Sequence, residues 1–572
     1  MKASDYIAAF LAEQGVTTVY EMTGGMITHL LDSLHRRDDI RIVSVHHEQS
    51  AAFAAEGGAR MTGIPGVAMA TSGPGATNLI TGIGSCFFDS VPAVFITGQV
   101  NTQELRGASG VRQAGFQETD IVTVAGPLTK AALQVSSAAD VPGALATAFR
   151  IALEGRPGPV LLDIPMNVQS QELDASLVAV EPSLPNTPLN IDEVLYALSI
   201  AERPLILAGG GVRAAGSSAP LRHFAESIGV PVASSLMGLD VLPGNHPLRV
   251  GLIGTYGNRW ANLTLRDADC VLVLGARLDV RQTGADTEAF HADKLLIQID
   301  IDSDQLRWRI PADIQVLADM GDFLAAAIEH TSQYAWPERA AWRERIADYK
   351  RDWPDTAEII TASGISPAET MHAMSARFDA ASAYVADVGQ NQMWAAQSLA
   401  LGEDQRFLTS GGMGAMGFAL PTAVGVTLAV PGRPVVAIAG DGGMQVNIQE
   451  LETIARLGLP IKIVVLNNGC LGMVRQFQEE LFESRYQSTV WGYGVPDFVA
   501  VGKAYGIDSK RVGTPSDLDS ALDWLAHDPS LPGLLDVAID VGASVRPKVS
   551  YGSSIFAMEP APSPATTRPI VG

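Results

Sequence analysis

The segment from Val435 to Asn468, VVAIAGDGGMQVNIQELETIARLGLPIKIVVLNN, constrains the fold more tightly than any other part of the chain. Val435 to Ala439 is a continuous apolar run of the kind needed by a parallel strand buried on both faces. It stops at the turn Gly440, Asp441, Gly442, Gly443. Val446, Ile448, Leu451, Ile454, Ala455 and Leu457 then recur at helical spacing, Gly458 and Pro460 end the helix, and Ile461 to Leu466 supplies a second buried strand. Such a crossover predicts parallel neighbours. Asp441 and Asn468, 27 positions apart, are therefore expected side by side at the carboxyl end of the sheet, where open α/β folds bind ligands.

An Asp carboxylate and an Asn amide oxygen suit a hard cation such as Mg2+, and the small Gly442 and Gly443 let backbone N–H groups approach a diphosphate. The lysine-bearing phosphate loop of nucleoside triphosphatases is absent from this segment. An ordinary βα turn with a capping Asp would explain Asp441 alone, but not the asparagine pair after the next strand. GDG followed by NN at this separation resembles the thiamine diphosphate (ThDP) signature.

The 572 residues predict three or four domains on a prior of about 100–200 residues each. A hydrophobic content of 47%, a charged content of 18% and 56 glycines fit a soluble α/β enzyme with many tight turns. The net charge of −23 argues against nonspecific binding to nucleic acid or to an anionic membrane. Cys86, Cys270 and Cys470 are isolated, with neither metal-ligand spacing nor a disulfide framework, which points to a reducing cytoplasm. MKASDYIAAFLAEQGV reads as an amphipathic helix without a cleavage site, and no apolar stretch is long enough to span a bilayer.

The expected fold class is α/β, with three doubly wound parallel-sheet domains at residues 1–180, 189–334 and 364–543. A proline-containing connection precedes the second, a charged linker spans 335–363, and a Pro- and Ser-rich tail covers 544–572. The first and third blocks share phrases. GARMTGIPGVAMATSGPG parallels GVTLAVPGRPVVAIAGDGG, and RPGPVLLDIPMNV parallels LPGLLDVAIDV. Duplication of a whole domain would place two similar domains across a cofactor; shared turn composition is the alternative.

In VSVHHEQSAAFAAEGGAR, Glu48 falls at the junction of an apolar strand and a helix whose Ala51, Ala54, Ala55 and Ala59 permit close packing. A Glu drawn into that crevice would be desolvated and able to share a proton. ThDP needs such a carboxyl on its aminopyrimidine ring to promote the imino tautomer that takes the thiazolium proton.

With these motifs in order, nearly the whole chain resembles the acetohydroxyacid (acetolactate) synthase branch of the ThDP-dependent decarboxylase family. That resemblance implies a pyrimidine-binding domain, a central FAD-binding Rossmann-like domain and a diphosphate-binding domain. It also implies a homodimer or homotetramer in which Glu48 of one chain reaches ThDP held by another chain. There, Asp441, Asn468 and the backbone carbonyl of Cys470 would hold Mg2+. Gly25, Gln390, Met413, Met416, Gly442, Gly443 and Met473 match the branch's ThDP neighbours, with Met416 bending the cofactor. Phe116, Gln117 and Lys130 match residues near the bound intermediate. LILAGGGVRAAG, GLIGTYGNRWAN, GARLDVRQTG and QIDID line up with FAD-binding segments. They place Gly209 and Gly210 among the FAD-binding residues, Arg277 at the FAD diphosphate, Asp300 and Asp302 near its nucleotide end, and a flavin that is structural.

The implied reaction decarboxylates pyruvate and transfers the two-carbon unit to a carbonyl acceptor. Arg281 matches the arginine for an acceptor carboxylate. Several positions depart from the branch: Phe477 stands where it carries Trp, Thr255 and Lys548 where it carries Met, and Arg475 at an apolar position. A wider, more cationic pocket is expected from these changes, which leaves a bulkier acceptor such as a nucleotide-linked ketosugar open beside a 2-keto acid. A pyruvate oxidase and a catalytically silent partner subunit also remain open.

Overall fold

A computed structural model of the chain describes residues 1–174, 176–177, 180, 191–358 and 364–561. Its apolar runs become the central strands, buried on both faces, of three six-stranded parallel sheets whose edge strands are partly exposed. The first holds β1 (Thr18–Met22), β2 (Arg41–Ser44), β3 (Gly66–Ala70), β4 (Ala93–Gln99), β5 (Ala131–Gln134) and β6 (Pro159–Pro165), in the order β2-β1-β3-β4-β6-β5. The central sheet holds β7 (Pro204–Ala208), β8 (Val232–Ser234), β9 (Arg249–Leu252), β10 (Cys270–Leu274), β11 (Leu295–Asp300) and β12 (Ile314–Leu317). Its order, β12-β11-β10-β7-β8-β9, is the doubly wound dinucleotide-binding arrangement. The third holds β13 (Ala383–Ala386), β14 (Arg406–Leu408), β15 (Val435–Gly440), β16 (Ile461–Asn467), β17 (Ser509–Val512) and β18 (Gly533–Ala538).

The third sheet runs β14-β13-β15-β16-β18-β17, the same winding as the first. The sequence repeat falls on matching strands, with Leu161-Leu162-Asp163 on β6 and Leu534-Leu535-Asp536 on β18. Alternation along β15 shows why both faces are covered: Val435, Ala437 and Ala439 enter one core, and Val436 and Ile438 enter another. The first of these cores is shared with the first domain. Between the two sheets the helix Glu48–Thr62 lies on the helix Ala419–Ala429. A side chain at Gly425 would put its Cβ 1.9 Å from the Ala54 carbonyl oxygen, and one at Gly57 would sit 2.5 Å from that of Thr422. The alanines and glycines of these helices set the distance between the two domains.

Three expectations are corrected. The helix after the GDGG turn is broken into Asp441–Val446 and Glu450–Leu457, because Asn447 turns its amide to the Gly417 carbonyl at 2.8 Å and to Gln49 at 3.1 Å. The described part of the 335–363 segment is largely the helix Ala340–Asp352, whose Trp342 and Ile346 enter the central core. Arg339 ties it there through the carbonyls of Leu198 and Ala201. Residues 544–561, expected to open a partly ordered tail, are packed on the body of the chain: β19 (Lys548–Val549) pairs with β20 (Met558–Glu559), and Val549, Ile555 and Met558 also enter the central core. The connection at 181–190, residues 359–363 and residues 562–572 lie outside the described residues. Among the described residues no helix is long and apolar enough to cross a membrane.

Candidate active site

Four loops meet at the carboxyl end of the first sheet. Glu48, at the start of its helix, is only 7% exposed and accepts a hydrogen bond from Asn78 Nδ2 at 2.9 Å. A side chain at Gly75 would put its Cβ 3.2 Å from Glu48 Oε1, so the SGPG turn closes over the carboxyl. Gln117 holds a φ of 66° and packs on Gly73 of the same turn, a left-handed conformation rare for a residue with a Cβ and concentrated at functional sites. Phe116 beside it is 80% exposed. Gly25 follows β1, where its neighbour Met26 donates its N–H to Thr71 Oγ1 at 3.3 Å. One buried carboxyl, an amide that orients it and glycine backbone on either side can hold and move a proton on a heterocycle.

The carboxyl end of the third sheet carries a different set. Register pairing of Gly440 with Leu466 brings Asp441 beside Asn468, whose backbone N–H reaches the Asp441 carboxylate. Burial pushes that carboxyl up to about 6, opposed by the Asn468 amide and by Tyr493, whose hydroxyl donates to Asp441 Oδ2 at 2.8 Å. A bound cation would favour the ionised form. Asn468 Nδ2 donates to Gln390 Oε1 at 3.0 Å, and Cys470 N–H donates to Asn468 Oδ1 at 3.3 Å. The Cys470 thiol is buried and pushed up to about 12, so this residue offers its carbonyl rather than a thiolate. Among the described residues no three His, Cys, Asp or Glu side chains converge on a metal position. One carboxylate with amide and carbonyl oxygens is a donor set for Mg2+.

The turn that follows Asp441 is glycine for steric reasons. A Cβ at Gly443 would fall 2.2 Å from Asp387 Oδ1, and one at Gly442 would fall 2.6 Å from Leu471 Cδ2 and 3.1 Å from Met416 Cε. Met416 is thereby placed against the turn at Gly442. Met413, in the same loop, reaches the first domain, with Sδ 3.3 Å from the Cβ position of Gly84. Met473 is half-buried against the neighbouring core. Asp387 anchors the loop, accepting from the N–H groups of Gly417 and Ala419 at 3.0 and 2.9 Å. Nothing in the sequence spacing marks Tyr493, Asp387, Asn447 or Asn78, because each acts through a partner distant along the chain or through backbone groups.

A cavity of about 260 Å³ opens at the carboxyl end of the central sheet. Gly210, Arg277, Asp300, Thr255 and Arg281 line it, as do Asp89 and Arg156 of the first domain and Gly411 of the third. Burial pushes the Asp300 carboxyl up to about 6. Asp300 Oδ1 accepts from the Asp302 N–H at 3.0 Å, and the Asp302 carboxylate pairs with Arg156 at 3.2 Å. Arg277 pairs with Asp279 at 3.2 Å, and Arg281 lies over the Tyr256 ring. Gly209 is absent from the lining; its Cβ would fall 2.1 Å from the Gly275 carbonyl oxygen, so its role is close packing of two turns. A glycine turn, a buried acid and a guanidinium around this cavity fit a dinucleotide.

Three expected site residues stand elsewhere. Lys130 precedes β5 at the amino end of the first sheet, the edge opposite Glu48, and its ammonium binds the Glu154 carbonyl. Arg475 is buried, paired with Glu479 at 2.9 Å and donating to Ser544 Oγ and the Ala543 carbonyl. Lys548 is buried against Glu480, with Glu559 at 3.7 Å. Both cations are neutralised internally, so the entrance gains no positive charge and the ground for a phosphorylated acceptor is removed. Phe477 is 43% exposed beside exposed Val474 and Leu481 on the helix Gly472–Leu481.

Comparison with known proteins agrees with this division. Residues 1–124 match the N-terminal TPP binding domain of thiamine pyrophosphate enzymes, residues 191–327 their central domain and residues 387–537 their C-terminal TPP binding domain. The chain is 39% identical to the acetolactate synthase large subunit of Parasynechococcus marenigrum, over 97% of this chain and 90% of that one. It is 37% identical to the acetolactate synthase isozyme 2 large subunit of Escherichia coli, over 97% and 98%. With chloroplastic acetolactate synthase 2 of Nicotiana tabacum it shares 36%, over 97% and 84%. A chain with this duplicated α/β architecture and full-length kinship belongs to the acetolactate synthase family and is a ThDP-dependent, carbon–carbon bond-forming enzyme.

Proposed function

We propose that the enzyme decarboxylates pyruvate and joins the two-carbon remainder to a second 2-keto acid, giving a product of the acetolactate type. The observation that carries this reading is the split of the site into two halves: a single buried carboxyl on the first sheet and an oxygen-ligand, glycine-lined cradle on the third. The relatives named acetolactate synthase support the choice of substrates. Bound ThDP supplies the electron sink that lets a 2-keto acid lose carbon dioxide. Asp441, Asn468 and the Cys470 carbonyl hold Mg2+, and Gly442 and Gly443 admit the diphosphate. Glu48, oriented by Asn78, shares a proton with the pyrimidine ring. Gln117 and Phe116 border the substrate space, and Arg281 receives the acceptor carboxylate through its guanidinium fork.

The partner of Glu48, Asn78, and its close neighbour Gly75 belong to the first domain. Phe116 on that domain and Val474, Phe477, Leu481 and Phe482 on the third are large apolar side chains left exposed. A second copy of the chain covers them in this reading, bringing Glu48 of one copy to the cradle of the other, and a dimer is the minimum unit. FAD occupies the central cavity in a structural role. Three free, buried cysteines fit a reducing compartment, the cytoplasm.

Product analysis by mass spectrometry tests the reading. With pyruvate alone, acetolactate and carbon dioxide are expected in equal amounts; acetate or acetyl phosphate, with bleaching of the flavin under anaerobic conditions, would contradict it.

A further inference from the structure

The loop Ser410–Met416 touches all three domains. On one side it presents Met416 to the diphosphate turn, and on the other Gly411 forms part of the wall of the central cavity. At Ser410, Gly411 and Gly412 it is fastened by the helix Ile80–Asp89 of the first domain. Asp89 Oδ2 accepts from Gly411 N–H at 2.9 Å and Oδ1 from Gly412 N–H at 2.7 Å, while Ser85 Oγ meets Ser410 Oγ at 3.3 Å. Gly411 and Gly412 must be glycine for this grip. A Cβ at the first would fall 2.4 Å from Met237 Sδ, and one at the second would fall 2.5 Å from Phe88 Cβ.

Asp89 is an unexpected residue for the place. Its side chain is almost fully buried, and it is the last residue of a helix, where the helix dipole disfavours an anion. Arg60 compensates at 2.7 Å, and the Arg60 carbonyl in turn receives Arg406 at 2.9 Å, which pairs with Asp240 of the central domain at 2.7 Å. Asp89 and Met237 also line the cavity. One carboxylate thus borders the dinucleotide cavity and holds two amides of the loop that flanks the diphosphate turn.

We infer that Asp89 is a positioning residue that couples the two cofactor sites: a dinucleotide filling the cavity presses on Asp89, Gly411 and Met237, orders Ser410–Met416 and thereby tightens ThDP binding. The inference rests on the flavin and ThDP assignments above, and it gives a flavin without net redox work a task. Because coupling is reciprocal, ThDP must tighten FAD by the same factor.

The test is isothermal titration of the full-length protein with ThDP at fixed Mg2+, with and without saturating FAD. The expected result is a ThDP Kd at least about fivefold lower with FAD, within the usual range of coupling between sites. In Asp89→Asn and in Gly412→Ala the ratio should fall toward one while flavin absorbance shows that FAD still binds. A residue that only supported the fold would weaken both ligands and leave the ratio in place. Should either variant fail to fold, hydrogen exchange on the wild type decides: FAD alone should protect the amides of 410–416. Binding of both cofactors with a ratio of one and no added protection would overturn the inference and leave the flavin assignment standing. Absence of FAD binding would overturn the flavin assignment, and the coupling with it.

Discussion

The first and third sheets are wound alike and keep a buried aspartate at matching strands, yet their carboxyl ends carry different side chains. Asp163 on β6 is held by the side chains of Thr97, Gln99 and Gln134, and Gln99 also reaches the Thr119 carbonyl near the Gln117 loop. Asp536 on β18 is approached instead by Asn467 and by Arg511 at 3.6 Å, and Asn467 Oδ1 receives the N–H of Gly469 in the loop that also carries Asn468 and Cys470. The scaffold is common, while in the proposed function the loops divide the labour into one carboxyl for a proton and one cradle for a charged diphosphate. Function thus resides in side chains and glycines grafted onto equivalent strand ends.

Breaking the proton half should have the largest effect. Glu48→Gln keeps the bulk of the side chain, so ThDP binding and thermal stability should persist while turnover falls by about 10²–10⁴-fold, the usual worth of a positioned acid–base group. Steady-state kinetics beside calorimetric ThDP binding separate the two. Asp441→Ala breaks the other half and should reverse the pattern. Mg2+ and ThDP affinity should drop by at least the roughly 10–100-fold that loss of an outer metal partner costs, read by titration with each. If Glu48→Gln lost cofactor and Asp441→Ala kept it, the roles of the two sheets would be interchanged.

The contact between the halves can be probed apart from their chemistry. Gly425→Val drives a branched side chain into the Ala54 carbonyl and should cost about 1–3 kcal/mol in urea unfolding, or more if the helices cannot separate. The smallest effect concerns Asp387. Burial raises its carboxyl from 3.8 to about 6, so between those values the folded state holds a proton that the unfolded chain has released. The stability it confers therefore falls as pH rises across that window. Melting temperatures from pH 4 to 7 should show this decline in the wild type and a flatter profile in Asp387→Asn.

The sequence carried the strand–helix–strand unit, the meeting of Asp441 with Asn468 and the burial of Glu48, because each follows from a local period or from the rule that crossovers make strands parallel. Partnerships made at long range were hidden. Lys548 reads as a free cation until the fold brings it to Glu480, 68 positions earlier, and Tyr493 reaches Asp441 across 52. Lys130 lies only 13 positions after Gln117 in the sequence, but β5 begins at the opposite edge of the sheet. Residues 544–561, rich in small polar residues, read as a partly ordered tail because few apolar anchors, Val549, Ile555, Phe556 and Met558, fix them to the central core.

The claim on which the account turns is that the halves of one working site come from two copies of the chain. Co-expressing Glu48→Gln with Asp441→Ala, assayed at a ThDP concentration that saturates the wild type and leaves Asp441→Ala empty, so that each is inactive alone, tests it directly. Random pairing makes half the dimers mixed, each with one intact site, so about a quarter of wild-type activity is predicted. Activity no greater than that of either variant alone, in a preparation shown by mass spectrometry to contain mixed dimers, would contradict it.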